Sequence, residues 1–98
     1  MAKAYWIAAY QAVSNPDALA EYGKLAAPAI QAAGGRFLAR GGRVKAYEAG
    51  KEERTIVIEF ESFDAAIAAH DSGGYKAALD KLGDDSVVRD MRIVEGLD

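Results

Sequence analysis

The sequence predicts an α+β fold with the element order βαββαβ, and three observations carry that prediction. Four short runs are rich in aliphatic and aromatic residues and have the length of strands. Two longer runs repeat apolar residues every three or four positions, the period of a helix face. Polar turns, some of them glycine-containing, separate these runs, so that one helix follows the first strand and the other follows the third.

Ala4 to Val13 reads as the first strand. Its two alternating sets, Tyr5-Ile7-Ala9 and Trp6-Ala8-Tyr10, are both largely apolar, which predicts burial on both faces. Ser14-Asn15-Pro16-Asp17 starts a helix. Asn15 suits the cap, Pro16 the first helical position, and Asp17 the positive helix end. That helix extends to about Ala33, with Leu19, Tyr22, Ala26 and Ile30 as its buried stripe. Pro28 removes one backbone donor inside it and is expected to kink or divide it. Gly34 supplies a left-handed cap.

Arg36 to Glu48 reads as the second strand. The pair Gly41-Gly42 in its middle predicts a bulge, a bend, or close approach of another backbone or a ligand. Ala49 to Glu53 is a turn, and Arg54 to Glu61 is a third strand that closes a hairpin. Ser62 caps the second helix, on which Phe63, Ala66, Ile67 and His70 share one face. Gly73-Gly74 is expected to break it, leaving a short piece from Tyr75 to about Leu82. After the loop Gly83-Asp84-Asp85-Ser86, Val87 to Val94 is the last strand. This order is the ferredoxin-like, split βαβ plan, an antiparallel sheet with both helices on one face. The second face is apolar as well, and a second copy of the chain is the expected cover.

Composition narrows the function classes. Residues 1–98 suit one domain. Much of the hydrophobic content is alanine, which buries little area, so a homodimer is expected to supply further burial. A net charge of −3 argues against a nucleic-acid partner, which requires a basic footprint. The absence of cysteine excludes disulfides, thiolate catalysis and cysteine-ligated metals. The N-terminal run reads as a strand rather than a signal peptide, and no apolar stretch suits a membrane span, so the expected location is the cytoplasm.

Several segments resemble one family. They are Pro28-Ala29-Ile30, the run Gly34-Gly35-Arg36-Phe37-Leu38-Ala39-Arg40-Gly41-Gly42, and the run from Arg54 to Ser62. Tyr75 after a helix break and the terminal Ile93-Val94-Glu95-Gly96 agree with them. On these the chain resembles, over nearly its whole length, the domain of unknown function 1330 family of the dimeric α+β barrel superfamily. Ser72-Gly73-Gly74-Tyr75 differs from the Ser-Pro-Glu-Tyr turn common in the family, and Lys81 stands where the family often has arginine. The resemblance implies a dimeric barrel but no agreed activity. Similar barrels include cofactor-free monooxygenases, isomerases, and enzymes that handle dyes or haem.

Three residues are candidates for chemistry. Arg40, beside Gly41 and Gly42, suits a ligand carboxylate or enolate oxygen that approaches the bare backbone. The competing reading is an ion pair with Glu59 or Glu61 across the hairpin. Glu59, mid-strand between Ile58 and Phe60, is either paired with Arg40 or Arg54 or available as a general base. His70, the sole histidine, is either a proton carrier or a core contact. With no cysteine and no close carboxylate cluster, no metal site and no tightly bound cofactor are expected; haem on His70 is the weakest alternative. Among the aromatic residues Trp6, Tyr10, Tyr22, Tyr47 and Tyr75, Tyr22 is the first choice for a pocket wall.

Two function classes follow. One is an enzyme on a small organic acid, aromatic or polyketide-like substrate, performing proton transfer, isomerisation or oxygenation. Its pocket would be lined by Tyr22, Arg40, Glu59 and His70, with Arg40 holding negative charge and His70 or Glu59 moving the proton. The other is a non-catalytic module that binds a small ligand or a protein.

Overall fold

The computed structural model describes residues 2–97; Met1 and Asp98 lie outside the described residues. The chain runs β1 (Ala4–Val13), α1 (Pro16–Ala32), β2 (Arg36–Arg40), β3 (Thr55–Phe60), α2 (Phe63–His70), α3 (Gly73–Leu82) and β4 (Val87–Glu95). The strands form one antiparallel sheet in the order β2-β3-β1-β4. The ferredoxin-like α+β fold expected from the element order is therefore the fold observed.

Local chemistry explains the helix starts. The Asn15 side chain accepts a hydrogen bond from the Ala18 N–H at 3.0 Å, and Ser62 Oγ accepts from the Ala65 N–H at 3.1 Å. Each satisfies a backbone donor that the first helical turn leaves open. Gly34, at φ +96°, takes the left-handed conformation after α1, and the next N–H, of Gly35, bonds the Ile30 carbonyl at 2.9 Å. Gly35 also fits tightly. A Cβ there would stand 2.5 Å from Ile30 Cγ2 and 2.8 Å from Phe60 Cζ, so the chain leaves α1 pressed against the core.

Several boundaries differ from the sequence expectation. Pro28 does not divide α1, which is continuous through it. Its ring lies on the solvent side, where water can satisfy the carbonyl it frees. The helix break expected at Gly73-Gly74 falls one step earlier. Ser72 caps α3, accepting from the Tyr75 N–H at 3.3 Å, and the two glycines form its first turn. There Gly74 lets α3 approach α1, since a Cβ would lie 3.2 Å from that of Ala29. The second strand ends at Arg40 instead of Glu48, and residues 41–54 are irregular.

The core lies between the sheet and the three helices. Trp6, Tyr75, Phe60 and Ile58 are its largest fully buried side chains, and Tyr22, Ala26 and Ile30 are the buried stripe of α1. Only one alternating set of β1 is fully buried. Ala4, Trp6, Ala8 and Tyr10 meet the helices, whereas Tyr5, Ile7 and Ala9 are half-buried on a face that no helix covers. On α2 the buried residues are the small Ala66 and Ala69, while Phe63 and Ile67 stay substantially exposed.

Candidate functional site: a cationic cleft beside three tyrosines

A cleft of about 260 Å³ opens between α1 and the helix-facing side of the sheet. Trp6, Ala8, Ile56, Ile58 and Met91 line its sheet wall, and Ala26, Ala27 and Ile30 its helix wall. Its polar lining is Tyr10, Tyr22, Arg40, Arg54 and Arg89. Three arginines and no carboxylate or imidazole, among the described residues, is an unusual wall for a chain of net charge −3.

The centre of the polar wall is Arg89 on β4. Cross-strand pairing places it opposite Tyr10, and alternation puts Arg89, Met91 and Ile93 on the helix side. Its Nη1 donates to the hydroxyl of Tyr10 at 2.9 Å and to that of Tyr22 at 3.3 Å; Nη2 donates to Tyr75 at 3.3 Å. The guanidinium also lies 5.5 Å from the Tyr10 ring centroid and 5.0 Å from that of Tyr22. No carboxylate pairs with it among the described residues. Burial works against its charge, but attraction to Tyr22 and Tyr75 outweighs that cost, and the guanidinium is held protonated more firmly than usual.

The phenols turn this cation into a set of donors. Each tyrosine oxygen accepts from Arg89, so each O–H proton must go elsewhere. Tyr22 and Tyr75 share one hydrogen bond of 2.7 Å, in which one of the two donates. The hydroxyl of Tyr10 has no acceptor among the described residues. The wall thus offers N–H and O–H donors and no acceptor that needs one, which suits an anionic oxygen.

Tyr75 stands behind Tyr22, fully buried, with its ring 4.9 Å from Trp6 and 5.9 Å from Tyr22. Burial first, and the neighbouring Tyr22 second, hold its phenol neutral far above the ordinary value of 10.0. In the unfolded chain the same phenol ionises near that ordinary value. Its contribution to stability is therefore complete below about pH 10 and declines as pH rises beyond it. Tyr75→Phe is expected to flatten this alkaline loss, as read from urea midpoints on either side of pH 10.

Two bulges shape the cleft rim. In the β2–β3 pair, Phe37 faces Ile58, Ala39 faces Val57 and Arg40 faces Ile56, so Leu38 is the extra residue. Strict alternation would send Phe37 and Arg40 to opposite faces. The bulge brings both to the cleft, where the Arg40 guanidinium lies 4.5 Å from the Phe37 ring centroid. A second bulge, between Tyr10 and Ala12, interrupts the β1–β4 pairing just beyond Arg89.

The structure brings Tyr22 and Arg40 to one cleft and leaves Glu59 and His70 outside it. Glu59 pairs in register with Tyr5 on the opposite face of the sheet and bonds Lys3 Nζ at 3.3 Å. The proposed ion pair of Arg40 with Glu59 or Glu61 does not form among the described residues. His70, with its side chain 39 % exposed, packs on Trp6 and Tyr75 and contacts Asp71 through Nδ1 at 3.0 Å. It lines a separate shallow depression with Ile67, Arg92 and Ile93. Gly42 borders another, on the far side of the hairpin. Gly41, at φ +72°, makes room for Arg54: a Cβ would stand 2.9 Å from Nη1 of that residue.

Sequence reasoning passed over Arg89. The available signal is its phase: in Val87–Glu95 it alternates with Met91 and Ile93, so an arginine occupies the apolar half of a strand. No group of His, Cys, Asp or Glu among the described residues is arranged to hold a metal ion. Among the described residues no helix is long and apolar enough to cross a membrane.

Fold and cleft together define a small ferredoxin-like α+β protein with a cationic, aromatic-lined pocket between its sheet and first helix. The model of the domain of unknown function family DUF1330 matches residues 3–97, and the chain belongs to that family. Among solved structures it is similar to a protein of unknown function from Rhodopseudomonas palustris, at 14% identity and a TM-score of 0.74, covering 99% of this chain and 84% of that one. It is also similar to a "putative antibiotic biosynthesis monooxygenase" from Caulobacter crescentus CB15, at 15% identity and a TM-score of 0.63, covering 99% and 92% of the two chains. These likenesses establish the fold. Among curated proteins no match was found.

Proposed function

We propose that this protein binds a small, flat organic acid in the cleft, with its anionic oxygen held by Arg89 and the hydroxyls of Tyr10 and Tyr22. The observation that carries the reading is a half-buried guanidinium with three phenol oxygens around it and no counter-ion among the described residues. Apolar walls from Ala26, Ile30, Ile56 and Ile58 suit the ligand body. The same donors would stabilise an enolate or phenolate. Forming such an anion is a step common to proton transfer, isomerisation and cofactor-independent oxygenation of activated carbon acids. Tyr22, coupled to Tyr75, is the lining group placed to pass a proton to a bound oxygen.

The test compares an acid with its neutral isostere. In calorimetric titrations, 2-naphthoate is expected to bind about tenfold or more tightly than 2-naphthamide, because charge-assisted hydrogen bonds exceed neutral ones by that margin. Equal affinity, or no binding of the acid, would sink the reading.

Self-association has separate support. On the uncovered sheet face, half-buried Ile7 and Val57 lie side by side on β1 and β3, and on β4 exposed Val88 and Val94 flank the Asp90–Arg92 ion pair. A homodimer that covers this face is expected to sediment at about twice 10.4 kDa. Ile7→Lys, which places a second cation beside Arg92 at the centre of this face, should sediment as the monomer.

A further inference from the structure

The cleft has a second cationic end that one carboxylate on Arg89 leaves unused. Arg54, immediately before β3, lies opposite Tyr10, whose N–H bonds its carbonyl at 2.9 Å, and Tyr10 lies opposite Arg89 on β4. Arg54 and Arg89 are thus two strand spacings apart, about 10 Å between backbones. Arg40 stands on β2 beside Arg54, one row along, since it pairs with Ile56. Tyr10 lies directly between the two ends, and the next row of the same face, Ala8 with Ile56 and Met91 on either side, is apolar.

Both outer arginines are held at the mouth. The Phe37 ring supports Arg40, and the bare backbone of Gly41 admits the Arg54 guanidinium. The chain has 15 acidic residues, yet among the described residues none pairs with either. Both are exposed, line one cleft and lack a counter-ion among the described residues, so their charges add in attracting an anion to the mouth.

We propose that the ligand is a flat dianion that lies across the sheet, one acidic group on Arg89 and the tyrosines, the other between Arg40 and Arg54. This rests on the organic-acid reading of the cleft and adds the second charge and its place. The probes are 2-naphthoate and naphthalene-2,6-dicarboxylate, which share one body and differ by a carboxylate at the far end.

For the unmodified protein the dicarboxylate is expected to bind about tenfold more tightly than the monoacid, with a steeper loss of affinity as salt is raised. In the double variant Arg40→Gln, Arg54→Gln the dicarboxylate should lose that tenfold. The monoacid should fall far less, by about twofold, through the weaker overall attraction. Equal affinities for the two acids in the unmodified protein would overturn the proposal, as would equal losses for both in the double variant. If 2-naphthoate binds no better than 2-naphthamide, the organic-acid reading itself fails. If it does bind better and the second carboxylate adds nothing, only the dianion is refuted. The ratio within each protein is its own control for folding.

Discussion

Arg89→Gln is expected to weaken 2-naphthoate binding by about 10- to 100-fold, the loss that follows when a charge-assisted hydrogen bond is removed. Glutamine keeps a polar side chain at the same strand position but carries no charge and cannot span Tyr10, Tyr22 and Tyr75 together. Stability should change by less than about 1 kcal/mol. Arg89 has no carboxylate partner among the described residues to strand, and two of the phenols it releases, Tyr10 and Tyr22, border a cleft that water can enter. Tyr22 and Tyr75 also keep their mutual hydrogen bond. The pair of measurements separates two roles. Lost binding with an unchanged melting curve marks a ligand anchor; a melting point that collapses with the substitution marks a structural hub and defeats the functional assignment.

Trp6→Ala should give the largest loss of stability of any single truncation considered. Trp6 is fully buried, with ring centroids 6.3 Å from Phe60, 4.9 Å from Tyr75 and 5.3 Å from His70. It joins β1, β3, α2 and α3 in one cluster, so no single element can relax to fill the space left behind. Removing a buried tryptophan costs about 3–5 kcal/mol, against a total of about 5–15 kcal/mol for a domain of this size. Thermal melting should fall by on the order of 15 °C or more. Trp6→Phe keeps an aromatic ring in the cluster and should lose much less. A melting point for Trp6→Ala within a few degrees of the unmodified protein would show that the core is centred elsewhere.

Helix starts and the buried face of α1 were readable because they are set by residues close together in the chain, whereas on α2 the expected face of Phe63, Ala66, Ile67 and His70 gave way to Ala66 and Ala69. Asn15 and Ser62 cap the helices they precede, and Tyr22, Ala26 and Ile30 recur at helical spacing and are buried. Gly34 takes the left-handed conformation that its place after α1 requires. The element order then limited the fold to an antiparallel sheet with its helices on one side. The end of β2 was not readable, since residues 42–48 have a strand-like pattern but no neighbouring strand holds them.

The site was legible only in part, and for the same reason. Arg40 was conspicuous beside Gly41-Gly42, but its direction depends on the Leu38 bulge, which exists only in the pairing with β3. Glu59 and His70 look reactive as residue types; strand alternation carries one to the far face, and half-exposed packing on Trp6 leaves the other outside the cleft. Arg89 gathers Tyr75 from 14 positions away, Tyr22 from 67 and Tyr10 from 79. The sequence by itself determined which segments become helices and strands and in what order they follow one another, because caps, periodicity and glycine conformations act over a few residues. Only the tertiary structure decided which side chains share the cleft, because strand register and helix docking bring together atoms that are far apart along the chain.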